Sequence, residues 1–81
     1  MPDRDSEAEP MLRRLGRTVA ALRTEAGRTQ EELAHEAGLT SRFLQMVERG
    51  SANPSYLRMR ALAAALRIGL PDLIERAEKS P

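Results

Sequence analysis

The 81-residue sequence contains no cysteine and no tryptophan, and only one phenylalanine, one tyrosine and one histidine. Without cysteine there is no disulfide to staple the fold and no thiol chemistry. A single histidine and no thiolate leave no ligand set for a metal site within one chain, so no metal and no cofactor is expected. His35-Glu36 opens like the zinc-protease pattern His-Glu-x-x-His, but Ala37, Gly38 and Leu39 follow and the second histidine is missing. There is no nucleophile elbow and no glycine-rich phosphate loop, so an enzyme is not expected. No apolar run reaches membrane-spanning length, and no basic start with an apolar stretch marks a signal peptide. A cytoplasmic location is the expectation. Asn53-Pro54-Ser55 is no glycosylation acceptor, because proline holds the middle position.

What is present is alanine, leucine and arginine, with few β-branched residues, a composition that points to an all-helical fold. The chain is near the lower size at which one aliphatic core suffices. Net charge is only +1, so overall charge does not announce a nucleic-acid partner. Its distribution says more: acid predominates in residues 1–10 and 29–50, base in 11–28 and 51–81. Nearly every cation is arginine, the side chain that pairs bidentately with guanine or phosphate.

The stretch Thr29 to Gly50, TQEELAHEAGLTSRFLQMVERG, reads as two short helices around a tight turn. Thr29 and Glu32 form a Thr-x-x-Glu capping box. Leu33, Ala34 and Ala37 give the first helix its apolar side. Gly38 stands where a helix ends in a left-handed residue, Leu39 plugs the turn, and Thr40 caps a second helix that stops at Gly50. On that second helix Phe43, Leu44 and Val47 share one side, which must face the core. Ser41, Arg42, Gln45 and Arg49 fall on the opposite arc, with Met46 at its edge. That arc is uncharged or basic and rich in forked donors, a face suited to base edges in a DNA major groove. Glu48 lies at the boundary and requires a cation.

Residues 1–9 read as an acidic disordered tail, although Ser6-x-x-Glu9 is also a possible capping box for an earlier start. From about Pro10 a helix carries Leu12, Leu15, Val19, Leu22 and Ala26 at alternating three- and four-residue spacing. Arg23 sits beside that stripe, placed to point inward at Glu48. After the connector Ser51-Ala52-Asn53-Pro54, a fourth helix is expected from Pro54, in the favoured first-turn position, to Arg67. Tyr56, Met59, Leu62, Ala63 and Leu66 form one apolar side of it. Leu57, Ala61 and Ala64 form a second, which either takes a partner or lies under the tail. A fifth helix, Leu70 to Glu78, carries Leu70, Leu73, Ile74 and Ala77, more apolar surface than closing the core requires. Homodimerisation through Leu57, Ala61, Ala64, Leu70, Leu73 and Ile74 is the expected outlet.

With TQEELA, the glycine turn, the ERG ending, the NPS connector and the apolar frame of the fourth helix all in register, residues 12–74 resemble the Cro and phage-repressor helix-turn-helix family, the xenobiotic-response-element type. The resemblance implies an all-α five-helix bundle of the lambda-repressor-like kind, spanning 10–79, whose third helix enters the major groove. It is similar to small homodimeric regulators such as restriction–modification controller proteins. By position, Ser41, Arg42 and Met46 would read bases, with Gln45 adjacent. Gln30 and Thr29 at the second helix's start, and Arg49 and Asn53 beyond the third, would meet phosphate. Arg49 equally suits the helix dipole as a C-terminal cation, and Arg28 either reaches phosphate or is solvated. Arg23 and Glu48 match a buried ion pair of the family. Two positions depart: Met46 is commonly polar and here suits a thymine methyl, and Arg67 replaces a glycine, implying a less regular exit from the fourth helix. The expected function is sequence-specific transcription regulation by a homodimer on a pseudo-palindromic duplex, with no small-molecule ligand. The alternative is a protein-interaction module, antitoxin-like or a complex subunit.

Overall fold

The computed structural model describes residues 4–81, with side chains from Glu9 onward. Five helices follow one another: α1 Arg4–Glu25, α2 Gln30–Ala37, α3 Ser41–Arg49, α4 Tyr56–Ala65 and α5 Leu70–Lys79. No strand occurs among the described residues, so the all-α five-helix expectation holds. α1 begins at Arg4, ahead of the start expected near Pro10; helix therefore replaces the tail expected for residues 4–9, and residues 1–3 lie outside the described residues. Pro10 sits inside α1, where its ring nitrogen forfeits one backbone hydrogen bond without ending the helix.

The apolar stripes converge on one core: Leu15 and Val19 from α1, Leu33 and Ala34 from α2, Leu44 and Val47 from α3, Leu62 and Ala63 from α4, Leu73 and Ala77 from α5. Leu12 and Leu22 are half-buried at the ends of the α1 stripe, and Ala26 lies past the helix and exposed. Thr18, a buried polar residue on α1, donates its hydroxyl to the Arg14 carbonyl at 2.9 Å, so its burial leaves the hydroxyl satisfied.

Leu73 corrects the dimer-face expectation. It is 0% exposed, because α5 closes the core against α1 with Leu73 and Ala77, one helical turn apart on the same side. Leu70 is half-buried against that core, and Ile74 half-buried at its edge. The outward stripe of α4 is as expected at Leu57, which is 74% exposed, and at Ala64, while Ala61 is half-buried. Tyr56, assigned to the inner side of α4, is exposed instead.

The start of α4 also differs. Ser55, not Pro54, defines it: the Ser55 hydroxyl accepts from the Arg58 amide at 3.3 Å, and Pro54 precedes the cap with its ring buried. The helix's exit is regular despite Arg67. The Ile68 amide donates to the Ala63 carbonyl and the Arg67 amide to Ala64, both at 3.0 Å, the paired bonds of a Schellman motif. Arg67 achieves this with φ 58°, a left-handed conformation that crowds its Cβ.

Gly16 allows α1 to lie directly on the C-terminal end of α3. A Cβ there would come within 2.4 Å of the Val47 carbonyl oxygen and 2.6 Å of that of Glu48. Both are backbone atoms and cannot swing aside. Gly16→Ala is therefore expected to destabilise the protein by about 1–3 kcal/mol through overpacking. Arg67→Gly should do the opposite, by up to about 1 kcal/mol, since relief of left-handed strain outweighs the added freedom of the unfolded chain. Urea unfolding of the two variants beside the parent measures both.

Candidate nucleic-acid interface

The turn that carries the interface is built by caps. Thr29 Oγ1 accepts from the Glu32 amide at 3.1 Å while Glu32 Oε1 accepts from the Thr29 amide at 2.9 Å, so each orphan donor has a partner. The Thr29 amide, and after it the Thr29 hydroxyl, hold the Glu32 carboxyl below its ordinary range. α2 ends at Gly38, with φ 70°, a conformation glycine adopts without Cβ strain. Leu39 is half-buried as the plug of the turn, and Thr40 Oγ1 accepts from the Phe43 amide at 3.1 Å to start α3.

α3 divides as its sequence pattern requires. Leu44 and Val47 are buried and Phe43 half-buried on the core side. On the other side Arg42, Gln45 and Arg49 are exposed, with Ser41 and Met46 half-covered. No acidic residue occupies the first turn, so the positive end of the helix dipole and Arg42 add to one another there. The surface is a ridge rather than a cleft, and no cluster that could hold a metal ion occurs among the described residues.

Orientation of that ridge rests on Glu48. Arg23 Nε donates to Oε2 at 2.7 Å and Nη2 to Oε1 at 3.0 Å, the two-pronged geometry of a guanidinium on a carboxylate. Gln30 Nε2 donates to the same Oε1 at 2.9 Å, and Arg23 Nη1 reaches the Arg28 carbonyl at 2.9 Å. The Glu48 side chain is 7% exposed. The bond to Glu48 raises the Arg23 pKa above its ordinary value, against the opposing effect of burial. The ion pair expected from the sequence is thus present, and Gln30 joins it. Gln30 remains half-exposed at the start of α2, with its second amide hydrogen uncommitted to Glu48.

Thr29 and Asn53 are exposed, Thr29 at the α2 cap and Asn53 in the connector after α3. Arg28 departs from both of its readings. It pairs with Glu36 of α2 and donates to the Ala65 carbonyl at 3.1 Å, closing the C-terminal end of α4. His35 is exposed on α2. The bond from Gln30 to Glu48 had a signal in the sequence, since Glu48 stood at the boundary of its helix with hydrogen-bonding capacity to spare. The bond from Arg28 to Ala65 had none.

Removing one partner of the Arg23–Glu48 pair leaves the other charge in a largely dry site. Arg23→Met is expected to lose about 3–5 kcal/mol, whereas Arg23→Met combined with Glu48→Leu recovers most of that loss. Urea midpoints of the single and double variants measure the difference. For Glu32, whose folded pKa is depressed, the stabilisation is complete above the ordinary carboxylate range and is lost as pH falls through the depressed value. Glu32→Gln should therefore remove that part of the acid dependence of thermal unfolding.

A helix-turn-helix family model matches residues 19–73, from the middle of α1 to Leu73 in α5. An HTH-type transcriptional regulator of Sinorhizobium fredii is 34% identical over 71 residues, covering 88% of this chain and 92% of that protein. The immunity repressor protein of Bacillus phage phi105 is 35% identical over 60 residues, 74% of this chain and 42% of the repressor. Among solved structures, the restriction-modification controller protein C.AhdI from Aeromonas hydrophila superposes with a TM-score of 0.75 at 39% identity, covering 76% of this chain and 94% of that one. With the capped turn, the exposed ridge of α3 and a family match across most of its length, the chain belongs to the helix-turn-helix family of DNA-binding transcriptional regulators.

Proposed function

We propose that the protein recognises a specific duplex sequence as a homodimer on a pseudo-palindromic operator, in the cytoplasm. The observation that carries this reading is the uncovered arc of α3, with Arg42 and Gln45 exposed and Ser41 and Met46 beside them. Arg42 is the base reader for a guanine edge, which its fork matches bidentately. Ser41 and Gln45 supply further hydrogen bonds, and Met46 an apolar contact to a thymine methyl. Thr29 and Gln30 at α2, Arg49 at the end of the ridge and Asn53 after it take phosphate and set register without reading sequence.

Dimerisation is supported by Leu57, 74% exposed, and Tyr56, 63% exposed, at the start of α4. With exposed Ala64 and half-buried Ala61 they give α4 an outward apolar surface, with Arg60 lying over the Tyr56 ring, and half-buried Leu70 and Ile74 of α5 are the proposed extension of it. Leu73 has no part in it. Two copies joined there would set their ridges into successive major grooves, about 34 Å apart. The same stripe favours a second reading, docking of a different protein as an antitoxin-like or complex subunit. Sedimentation separates the two: a dimer consumes the stripe, and a monomer leaves it for a foreign partner.

Selection of bound duplexes from a random pool tests the whole reading, which requires an enriched motif with two-fold symmetry. Arg42→Ala should cost about 1–3 kcal/mol and relax preference at one base pair per half-site. A uniform loss that spares sequence preference would refute base reading by Arg42. Gln30→Ala should weaken all sequences alike. Leu57→Glu should convert the sedimenting dimer to monomer, since an ionised carboxylate cannot be buried there unpaired.

A further inference from the structure

Arg58 lies in the first turn of α4, and its guanidinium carbon stands 4.7 Å from the centroid of the Phe43 ring, a cation–π arrangement. Phe43 belongs to the first turn of α3, next to Arg42 in sequence. At about 100° per residue, Glu48 and Phe43 bracket the exposed arc of α3, with Ser41, Gln45, Arg49, Arg42 and Met46 falling between them in that angular order. Glu48 is joined by Gln30 from α2. Phe43, on the opposite flank, is joined by Arg58 from α4. The ridge thus has one donor-bearing neighbour on each side.

A helix seated in a major groove has a phosphate backbone along each of its flanks. Thr29 and Gln30, at the head of the ridge, serve only the α2 flank. We propose that Arg58 takes the phosphate on the other flank, held in position by its stack on Phe43. This inference rests on the DNA-binding reading of α3. Arg58 is exposed, and among the described residues no carboxylate pairs with it. α4 has no acidic residue in its first turn, and the helix dipole opposes a cation at that end. An arriving phosphate satisfies both the guanidinium and the dipole. The contact with the Phe43 ring holds the guanidinium beside α3 and reduces the rotamer freedom lost on binding.

The test is fluorescence-anisotropy titration of the full chain against its selected duplex over a series of salt concentrations, with folding of each variant checked by circular dichroism. Arg58→Gln should bind every sequence about fivefold to tenfold more weakly, and its log–log salt slope should be shallower by about one per subunit. Arg58→Lys should keep the slope, and Phe43→Leu should keep it while losing a smaller factor in affinity. Parental affinity and slope in Arg58→Gln overturn the proposal, as does a loss confined to one base pair with the slope unchanged. Parental affinity in Phe43→Leu overturns the role of the stack. A parent chain that binds no duplex defeats the DNA-binding reading and this inference with it, whereas a binding parent with an indifferent Arg58→Gln defeats this inference alone.

Discussion

The fold depends on the carboxylate of Glu48. It belongs to α3, yet its partners are Arg23 of α1 and Gln30 of α2, so one nearly buried group ties three helices together. Such a pair adds little net stability over well-packed apolar side chains, because two charges must first be stripped of water. What it supplies is direction. Apolar contacts tolerate a helix rolling by some degrees about its axis, whereas a two-pronged ion pair at 2.7 and 3.0 Å does not. At the same C-terminal end of α3 the Gly16 approach to the Val47 and Glu48 carbonyls sets the distance to α1 at backbone contact. The ridge is therefore pinned in roll by Glu48 and in height by Gly16, the two degrees of freedom that decide which atoms its outer side chains can reach.

The helix ends distribute charge around that ridge unequally. α2 has Glu31 and Glu32 in its first turn, and Glu32 is engaged with the Thr29 amide. Those carboxylates offset the positive end of the α2 dipole, so an anion there must rely on the side-chain amide of Gln30 more than on the helix terminus. The chain keeps anionic side chains out of the first turns of α3 and α4, the helices that carry Arg42 and Arg58. This arrangement explains how a protein of net charge +1 can offer a locally positive face.

Features fixed by neighbours in sequence are legible in the sequence itself. The capping box of Thr29 and Glu32, the left-handed Gly38 and the buried side of α3 each depend on residues within a turn or two. Even the Arg23–Glu48 pair could be read, because both residues fall at the boundary of an amphipathic pattern where a charge must find an inward partner. Leu73 could not be placed, because Leu70, Leu73, Ile74 and Ala77 share one face of α5, and periodicity alone does not say whether that face meets the chain's own core or a second copy. Arg28 failed for a related reason: its carbonyl acceptor lies 37 residues away, at a helix end that only tertiary packing brings near. Pro10 misled in the other direction, since a proline removes one bond and does not terminate a helix that is otherwise well formed. The α4 start was moved by Ser55, whose side-chain oxygen supplies a cap that outweighs the N1 preference of the preceding proline.

α4 is asked to satisfy three neighbours from ten residues. Leu62 and Ala63 close the core, Arg58 reaches over α3, and the stripe beginning at Leu57 faces outward. In the proposed dimer the outward stripe meets its own symmetry mate, so the path from one ridge to the other runs through two copies of the same short helix. Any repacking at Leu57 then alters the separation of the two ridges, and with it the operator spacing that both can occupy. Affinity for the partner subunit and choice of DNA site are, in this architecture, properties of one surface. A substitution there that merely slid the interface would change which duplex is bound without touching a single base-reading side chain.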